Sequence, residues 1–159
     1  MAKKAAVLFV CLGNICRSPT AHGVFETMVK EAGLAQQVTI DSCGTGSWHI
    51  GQPPDERTQK AALARGYDLS HLRARRLEED DFKHFDYIIA MDTRNLADAM
   101  KMAPDNYAGN IQLFMDYAPE ESAMEVPDPY YGNEDGFEHV LHLIETASTG
   151  LLNRIKKDL

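Results

Sequence analysis

Short apolar runs alternate along the chain with segments whose apolar residues recur every three or four positions. The runs predict strands, because strands buried on both faces read as continuous apolar stretches: Ala5–Val10, Val38–Asp41, Tyr87–Met91 and Ile111–Phe114. Strands that alternate with helices are typical of β-α-β units and of a parallel sheet. We therefore expect an α/β fold in which a central four-stranded parallel sheet is flanked by helices on both faces.

The segments between these runs predict helices. Their bounds are about 18–32, 55–65, 92–103 and 137–155, with a shorter helix near 78–84. Ser18 and Pro19 are typical of an N-cap and a first helical position, so we expect Ser18 to cap the first helix. Gly33 and Gly66 follow the first two helices and predict where they end.

Composition indicates an ordinary globular protein. Of 159 residues, 44% are hydrophobic and 25% are charged, so we expect a single domain over 1–159. The formal net charge of −8 argues against nucleic acid or an anionic membrane as a general partner. No long apolar span or signal peptide is visible, so we expect a cytoplasmic protein that is a monomer or a weak homodimer.

The cysteines and histidines favour neither a disulfide framework nor a metal site. The three cysteines are an odd number, and the six histidines are scattered without zinc-finger spacing. We therefore expect no structural metal and no cofactor.

One segment at the end of the first predicted strand carries a distinct chemistry. It reads Cys11-Leu12-Gly13-Asn14-Ile15-Cys16-Arg17-Ser18, and a helix is predicted directly behind it. Backbone N–H groups that curl into a helix N-terminus bind phosphate-like anions, and the planar guanidinium of Arg17 suits bidentate contact with phosphoryl oxygens. The same positive field favours the thiolate form of Cys11. The segment therefore predicts a phosphate-binding loop with a sulfur nucleophile at its base.

This loop resembles the signature of the low-molecular-weight protein tyrosine phosphatases. The similarity runs from Val10 to Pro19 and continues in a second motif near the C-terminus, Asp128-Pro129-Tyr130-Tyr131-Gly132. Shorter matches follow the family's order between them: Asp41-Ser42, Trp48, Pro53-Pro54-Asp55 and Phe85-Asp86-Tyr87-Ile88. The resemblance covers essentially the whole chain. It implies a metal-independent hydrolase of phosphotyrosine in proteins and of small aryl phosphates.

The resemblance also implies a role for each residue of the site. Cys11 attacks phosphorus and forms a cysteinyl-phosphate intermediate, while Arg17 and the loop amides up to Ser18 bind the phosphate. Asp128 acts first as general acid and then as general base. The supporting roles fall to side chains around the loop: Asn14 and Ser42 brace it, and Trp48 and Tyr130 form walls for an aryl group. Ile15 stands where related arginine phosphatases carry threonine, which favours phosphotyrosine.

Some roles stay open from the sequence alone. Ser18 can donate its hydroxyl to the thiolate as well as cap the helix. Cys16 either fills space in the loop or forms a reversible disulfide with Cys11 after oxidation. His22 stands where many relatives carry an acidic residue, so it can shift the charge near the loop.

Three other functions compete with the phosphatase. An arsenate reductase of the same fold needs additional resolving cysteines, whereas Cys43 is the only cysteine beyond the loop. A non-catalytic anion-binding module would need neither Cys11 nor Asp128. Thiol–disulfide exchange normally uses a Cys-x-x-Cys motif, which the wider spacing of Cys11 and Cys16 does not match.

Overall fold

The computed structural model describes residues 3–129 and 134–159. Within these ranges one sheet holds four parallel strands: β1 (Ala5–Cys11), β2 (Val38–Gly44), β3 (Tyr87–Ala90) and β4 (Asn110–Leu113). Their spatial order is β2-β1-β3-β4, with Cys11 of β1 beside Gly44 of β2 and Val10 of β1 beside Ala90 of β3. All of the predicted strands are present, so the predicted parallel α/β sheet is confirmed.

The helices also lie close to their predicted positions. They are α1 (Arg17–Glu31), α2 (Glu56–Leu63), α3 (Asp81–His84), α4 (Thr93–Met102) and α5 (Glu134–Asp158), with a 3-10 turn at Phe114–Tyr117. Gly33 has a φ of 75° and Gly66 a φ of 92°, the left-handed backbone with which many helices end. The two glycines therefore follow the ends of α1 and α2, as predicted.

The start of α1 differs from the prediction. The helix begins at Arg17, and Cys16 occupies the N-cap position without a side-chain capping bond. The expectation that Ser18 caps α1 is therefore wrong. The physical reason is that the Ser18 hydroxyl lies inside the first turn and is engaged by the preceding loop, where it contacts Cys11 Sγ.

Both faces of the sheet are covered by helices. Val7, Phe9 and Cys11 of β1 point into a core shared with α1 and α5, while Leu8 and Val10 point into a second core shared with α3 and α4. Neighbouring residues of β1 thus face opposite cores, which explains why the strand reads as a continuous apolar run. None of the helices in the described ranges has both the length and the apolar character needed to cross a lipid bilayer.

The carboxyl edge of the sheet brings distant segments together. β1 lies between β2 and β3, so the chain leaves β1 at the point where the strand order reverses, which is where open α/β sheets form their binding crevice. Cys11 is the last residue of β1. The segment before α5 reaches the same edge, because Val126 N donates to Met91 O at 2.8 Å.

Candidate active site

The loop between β1 and α1 curls around the Cys11 sulfur. Cys11 is buried, with 2% of its surface exposed. Asn14 adopts a left-handed backbone with a φ of 57°, and its N–H donates to Cys11 Sγ at 3.3 Å. A left-handed residue is tolerated by asparagine better than by most side chains, so the residue type and the curl of the loop agree.

The Asn14 side chain ties the loop to two other segments. Its Nδ2 donates to Ser18 Oγ at 2.7 Å, and its Oδ1 accepts from the backbone N–H of Arg75 at 3.0 Å. Arg75 is itself held by the carboxylates of Asp41 and Asp81, at 3.1 and 2.9 Å. Both hydrogen-bonding ends of the Asn14 amide are therefore occupied, and the left-handed turn is fixed from two sides.

Ser18 places a hydroxyl against the sulfur. Ser18 Oγ lies 3.0 Å from Cys11 Sγ and 3.2 Å from Cys43 O. The hydroxyl carries one proton, and it accepts from Asn14, so it can donate to only one of these two acceptors at a time. When Cys11 is a thiolate, the sulfur is the more strongly attracting acceptor because the hydrogen bond is then charge-assisted.

A close backbone contact at Gly44 sets the distance between the loop and β2. A Cβ on Gly44 would lie 2.7 Å from Leu12 O and 3.1 Å from Asn14 N. Only glycine allows β2 to approach the loop this closely. Thr45 N and Gly46 N, which follow Gly44, donate to Cys11 O and Leu12 O at 2.9 and 2.8 Å.

Arg17 is buried, and other chain segments orient its guanidinium. Its Nη1 donates to Asp92 Oδ2 at 2.6 Å and to Val126 O at 3.1 Å, and its Nη2 lies 3.7 Å from Asp128 Oδ2. Burial alone would lower the pKa of Arg17, but the Cys11 sulfur and the two carboxylates outweigh burial and raise it. The guanidinium therefore stays charged beside the sulfur.

The loop, Arg17 and Asp128 face one cavity. Its volume is about 380 Å³, and its lining consists of Cys11, Leu12, Gly13, Ile15, Cys16, Arg17, Trp48, His49 and Asp128. The Asp128 side chain is 35% exposed, and Trp48 is 69% exposed. The structure thus brings together the three predicted catalytic residues and one predicted wall. The other predicted wall, Tyr130, lies outside the described residues.

Ser42 and His22 meet behind the loop. Ser42 Oγ lies 3.0 Å from His22 Nδ1, so its side chain contacts α1, and the chain of contacts continues from His22 Nε2 to Glu26 at 3.7 Å. Burial lowers the pKa of His22; the Glu26 and Asp41 carboxylates oppose this effect and His71 adds to it. His22 is therefore a buried histidine that favours the neutral form.

The other two cysteines are buried free thiols. Burial raises the pKa of Cys16 to about 12 and raises the pKa of Cys43 well above its ordinary value. Both therefore hold their protons near neutral pH.

Three features of the site were not predicted from the sequence. Asp92 was expected only as the start of a helix, and its contact with Arg17 joins residues far apart in the chain. His49 lines the cavity without an assigned role. Glu125 binds the first residue of α4. The position of Asp92 at the carboxyl end of β3 was the one available signal, because such ends meet at the crevice.

Comparison with known proteins identifies the family. The family model for low molecular weight phosphotyrosine protein phosphatase matches residues 6–159. The protein of that name from Schizosaccharomyces pombe is 51% identical over 138 residues, which cover 86% of this chain and 88% of that protein. The low molecular weight protein-tyrosine-phosphatase YfkJ of Bacillus subtilis is 44% identical over 154 residues, covering 96% and 97%.

A solved structure gives the same result. The crystal structure of a protein tyrosine phosphatase from Entamoeba histolytica, with Hepes in the active site, matches with a TM-score of 0.93 and 38% identity, covering 98% of this chain and 99% of that one. The agreement extends over fold and sequence together. This chain therefore belongs to the family of low molecular weight phosphotyrosine protein phosphatases.

Proposed function

We propose that the protein hydrolyses phosphotyrosine in proteins, and small aryl phosphates, through a cysteinyl-phosphate intermediate. The observation that carries this proposal is the convergence of Cys11, Arg17 and Asp128 on one cavity in a member of this family. A nucleophile, a fixed cation and a carboxylic acid are the groups that phosphate-ester cleavage requires.

The loop binds the phosphoryl group. Backbone N–H groups from Leu12 to Ser18 and the N-terminus of α1 supply positive partial charges, and Arg17 supplies a full one. Asp92 and Val126 already hold one end of the guanidinium, so little of its freedom is lost when the substrate binds. The remaining donors of Arg17 contact the equatorial oxygens, where charge is spread in the transition state.

The first chemical step transfers the phosphoryl group to sulfur. The Cys11 thiolate attacks phosphorus in line with the ester oxygen, so an S–P bond forms while the P–O bond to the phenol breaks. Asp128, at the mouth of the cavity, donates its proton to the departing oxygen and becomes a carboxylate. The leaving phenol therefore departs neutral.

The second step releases phosphate. The Asp128 carboxylate takes a proton from a water molecule as that water attacks phosphorus, and the S–P bond breaks. The sulfur leaves as a thiolate, which accepts hydrogen bonds from Asn14 N and the Ser18 hydroxyl, so no proton transfer to sulfur is needed. Asp128 is protonated again for the next turnover, and no metal ion or cofactor takes part.

Trp48 and Ile15 are proposed to contact the aryl group. Both line the cavity, and a flat apolar ring fits beside an exposed indole better than a flexible alkyl chain does. Tyr130 is proposed as a second substrate wall, as the family resemblance implies, and Ser42 as a support that acts through His22 on α1. A free nucleophilic thiol suits a reducing compartment, so we place the protein in the cytoplasm as a monomer or weak homodimer.

Cys16 is proposed as a redox partner of Cys11. Peroxide would convert the Cys11 thiol to a sulfenic acid with release of water, and the Cys16 thiol would displace a second water to form the disulfide. Wild type would then recover activity on reduction after peroxide treatment, whereas Cys16→Ala would not, because its oxidised Cys11 proceeds to irreversible acids. Equal recovery by both proteins would leave Cys16 a packing residue.

The proposed activity is tested by hydrolysis of p-nitrophenyl phosphate and of a phosphotyrosine peptide in the presence of a chelator and a reductant. We expect turnover by wild type, none by Cys11→Ser, and a loss of about 10²-fold or more in Asp128→Ala. Folded, reduced wild type that is inactive on both substrates would contradict the proposal. Arsenate reduction and plain anion binding would then be the functions to test.

A further inference from the structure

Hydrogen bonds to Glu125 connect the segment that carries Asp128 to the start of α4. Glu125 Oε2 accepts from Thr93 N at 2.6 Å and from Thr93 Oγ1 at 2.8 Å. Thr93 is the first residue of α4, where a backbone N–H has no partner within the helix. Both hydrogen bonds are charge-assisted, which makes them stronger than bonds between neutral groups.

Val126, the next residue, hydrogen-bonds the same segment to the end of β3. Val126 is fully buried, its N–H donates to Met91 O at 2.8 Å, and its carbonyl accepts from Arg17 Nη1 at 3.1 Å. Pro127 and Pro129 then restrict the backbone on both sides of Asp128. The position of Asp128 relative to Arg17 therefore follows from how Glu125 and Val126 are held.

The start of α4 contacts both Arg17 and the segment that carries Asp128. Asp92, the N-cap of α4, holds Arg17 through Oδ2 and accepts from Asn95 N through Oδ1. Glu125 binds Thr93, the residue next to Asp92. The phosphate-binding cation and the segment of the proton donor are thus anchored to adjacent residues of one helix.

We propose that Glu125 is a positioning residue that holds Asp128 in the geometry for proton transfer to the leaving group. The inference rests on the proposed function, because it presupposes that Asp128 is the general acid. Glu125 does not line the catalytic cavity, so it acts through the backbone of the segment and through α4. Its loss would let Asp128 move while Cys11 and the loop stay in place.

The readout is the dependence of kcat/KM on the pKa of the leaving phenol. A well-placed acid makes this dependence shallow, because protonation helps poor leaving groups most. We expect a shallow slope for wild type, a steep slope for Asp128→Ala and an intermediate slope for Glu125→Ala. In Glu125→Ala, kcat/KM should fall roughly tenfold for phenyl phosphate and less than about twofold for a dinitrophenyl phosphate.

Matched variants separate positioning from general effects. Glu125→Gln keeps an oxygen that can accept from Thr93, so it should restore most of the wild-type slope. Glu120→Ala removes an exposed carboxylate from the same segment and should behave as wild type. Inhibition by inorganic phosphate reports on Arg17 and the loop, and its constant should change by less than about twofold in Glu125→Ala.

The outcomes distinguish this inference from the proposed function. A wild-type slope in folded Glu125→Ala overturns the positioning role, whereas a wild-type slope in Asp128→Ala overturns the assignment of the acid itself. If Glu125→Ala does not fold, Thr93→Val removes one of the two bonds and should steepen the slope, so that the ratio of kcat/KM for dinitrophenyl phosphate to kcat/KM for phenyl phosphate rises by about threefold. An unchanged slope in Thr93→Val would then overturn the inference.

Discussion

Asp92 Oδ2 lies 2.6 Å from Nη1 of Arg17 and holds one end of its guanidinium. The other carboxylate oxygen of Asp92 caps α4 by accepting from Asn95 N at 2.8 Å. One side chain therefore links the start of a helix to the cation of the site. Because α4 packs against the sheet beside β3, the orientation of Arg17 is fixed by the fold itself.

Replacing Asp92 tests this link. Asp92→Asn keeps a good N-cap but takes the nearest carboxylate away from the buried Arg17 guanidinium, so the free energy of unfolding should fall by about 1–3 kcal/mol and kcat/KM by about 10- to 100-fold. The measurements are urea unfolding and hydrolysis of p-nitrophenyl phosphate. Asp98→Ala, which removes an exposed carboxylate from the same helix, serves as the control. Equal activity in the two variants would show that Arg17 does not depend on Asp92.

Gly44 should tolerate no side chain. A Cβ at this position would meet the Leu12 carbonyl at 2.7 Å, so Gly44→Ala must push the loop away from β2. We expect a fall in kcat/KM of about 10²-fold, since small displacements of catalytic groups cost rates of this order. Inhibition by inorganic phosphate should weaken in parallel. A variant with wild-type phosphate inhibition would show that the loop does not need this contact.

Only one cysteine should react readily with an alkylating agent near neutral pH. Burial raises the pKa of Cys16 to about 12 and keeps Cys43 protonated as well, whereas the Cys11 sulfur lies beside the Arg17 guanidinium and accepts a hydrogen bond from Asn14 N. Iodoacetamide should therefore modify Cys11 at least about 100-fold faster than the other two, as followed by peptide mass spectrometry. Inorganic phosphate should protect it. Comparable labelling of Cys16 would contradict the burial of its thiol.

His22 should make the protein less stable in mild acid. Because its pKa is lowered in the folded protein, the unfolded chain binds the proton more readily. The stability that neutral His22 contributes is thus present above its ordinary pKa of 6.5 and is lost as the pH falls through the folded value. The free energy of unfolding of wild type should drop more between about pH 7 and pH 5 than that of His22→Asn.

A surface histidine provides the control for this pH dependence. His139 is exposed on α5, so His139→Asn should retain the wild-type slope. The phosphatase activities of wild type, His22→Asn and His139→Asn should also be compared below pH 6.5, because His22 contacts Ser42 behind the loop. Identical slopes in wild type and His22→Asn would mean that His22 has the same pKa in the folded protein and in the unfolded chain.

The sequence predicted the elements of the fold and the loop because both are local signals. The apolar run of β1 and the Cys11–Ser18 motif are read from adjacent residues, and each was found where expected. Ser18 shows the limit of this reasoning. Its residue type suits a helix cap, yet its hydroxyl is drawn into the loop by Asn14, which no helix-start rule takes into account.

Contacts between distant segments could not be predicted in the same way. The bond from Arg17 to Asp92 and the bonds from Thr93 to Glu125 depend on how the carboxyl edge of the sheet gathers the chain. Local patterns indicate that Asp92 starts a helix, but they do not reveal which second partner its other oxygen binds. The family resemblance supplied Asp128, whose own surroundings, two prolines, are typical of an ordinary turn.

The most direct test of the proposed mechanism is the capture of the intermediate on Cys11. Wild type would be mixed rapidly with p-nitrophenyl phosphate and quenched in denaturant during turnover, and its peptides would be analysed by mass spectrometry. We expect one phosphoryl group on the peptide that contains Cys11, formed with a burst of p-nitrophenol and absent from Cys11→Ser. A phosphoryl group on another side chain, or turnover with neither a burst nor phosphorylated Cys11, would contradict the mechanism.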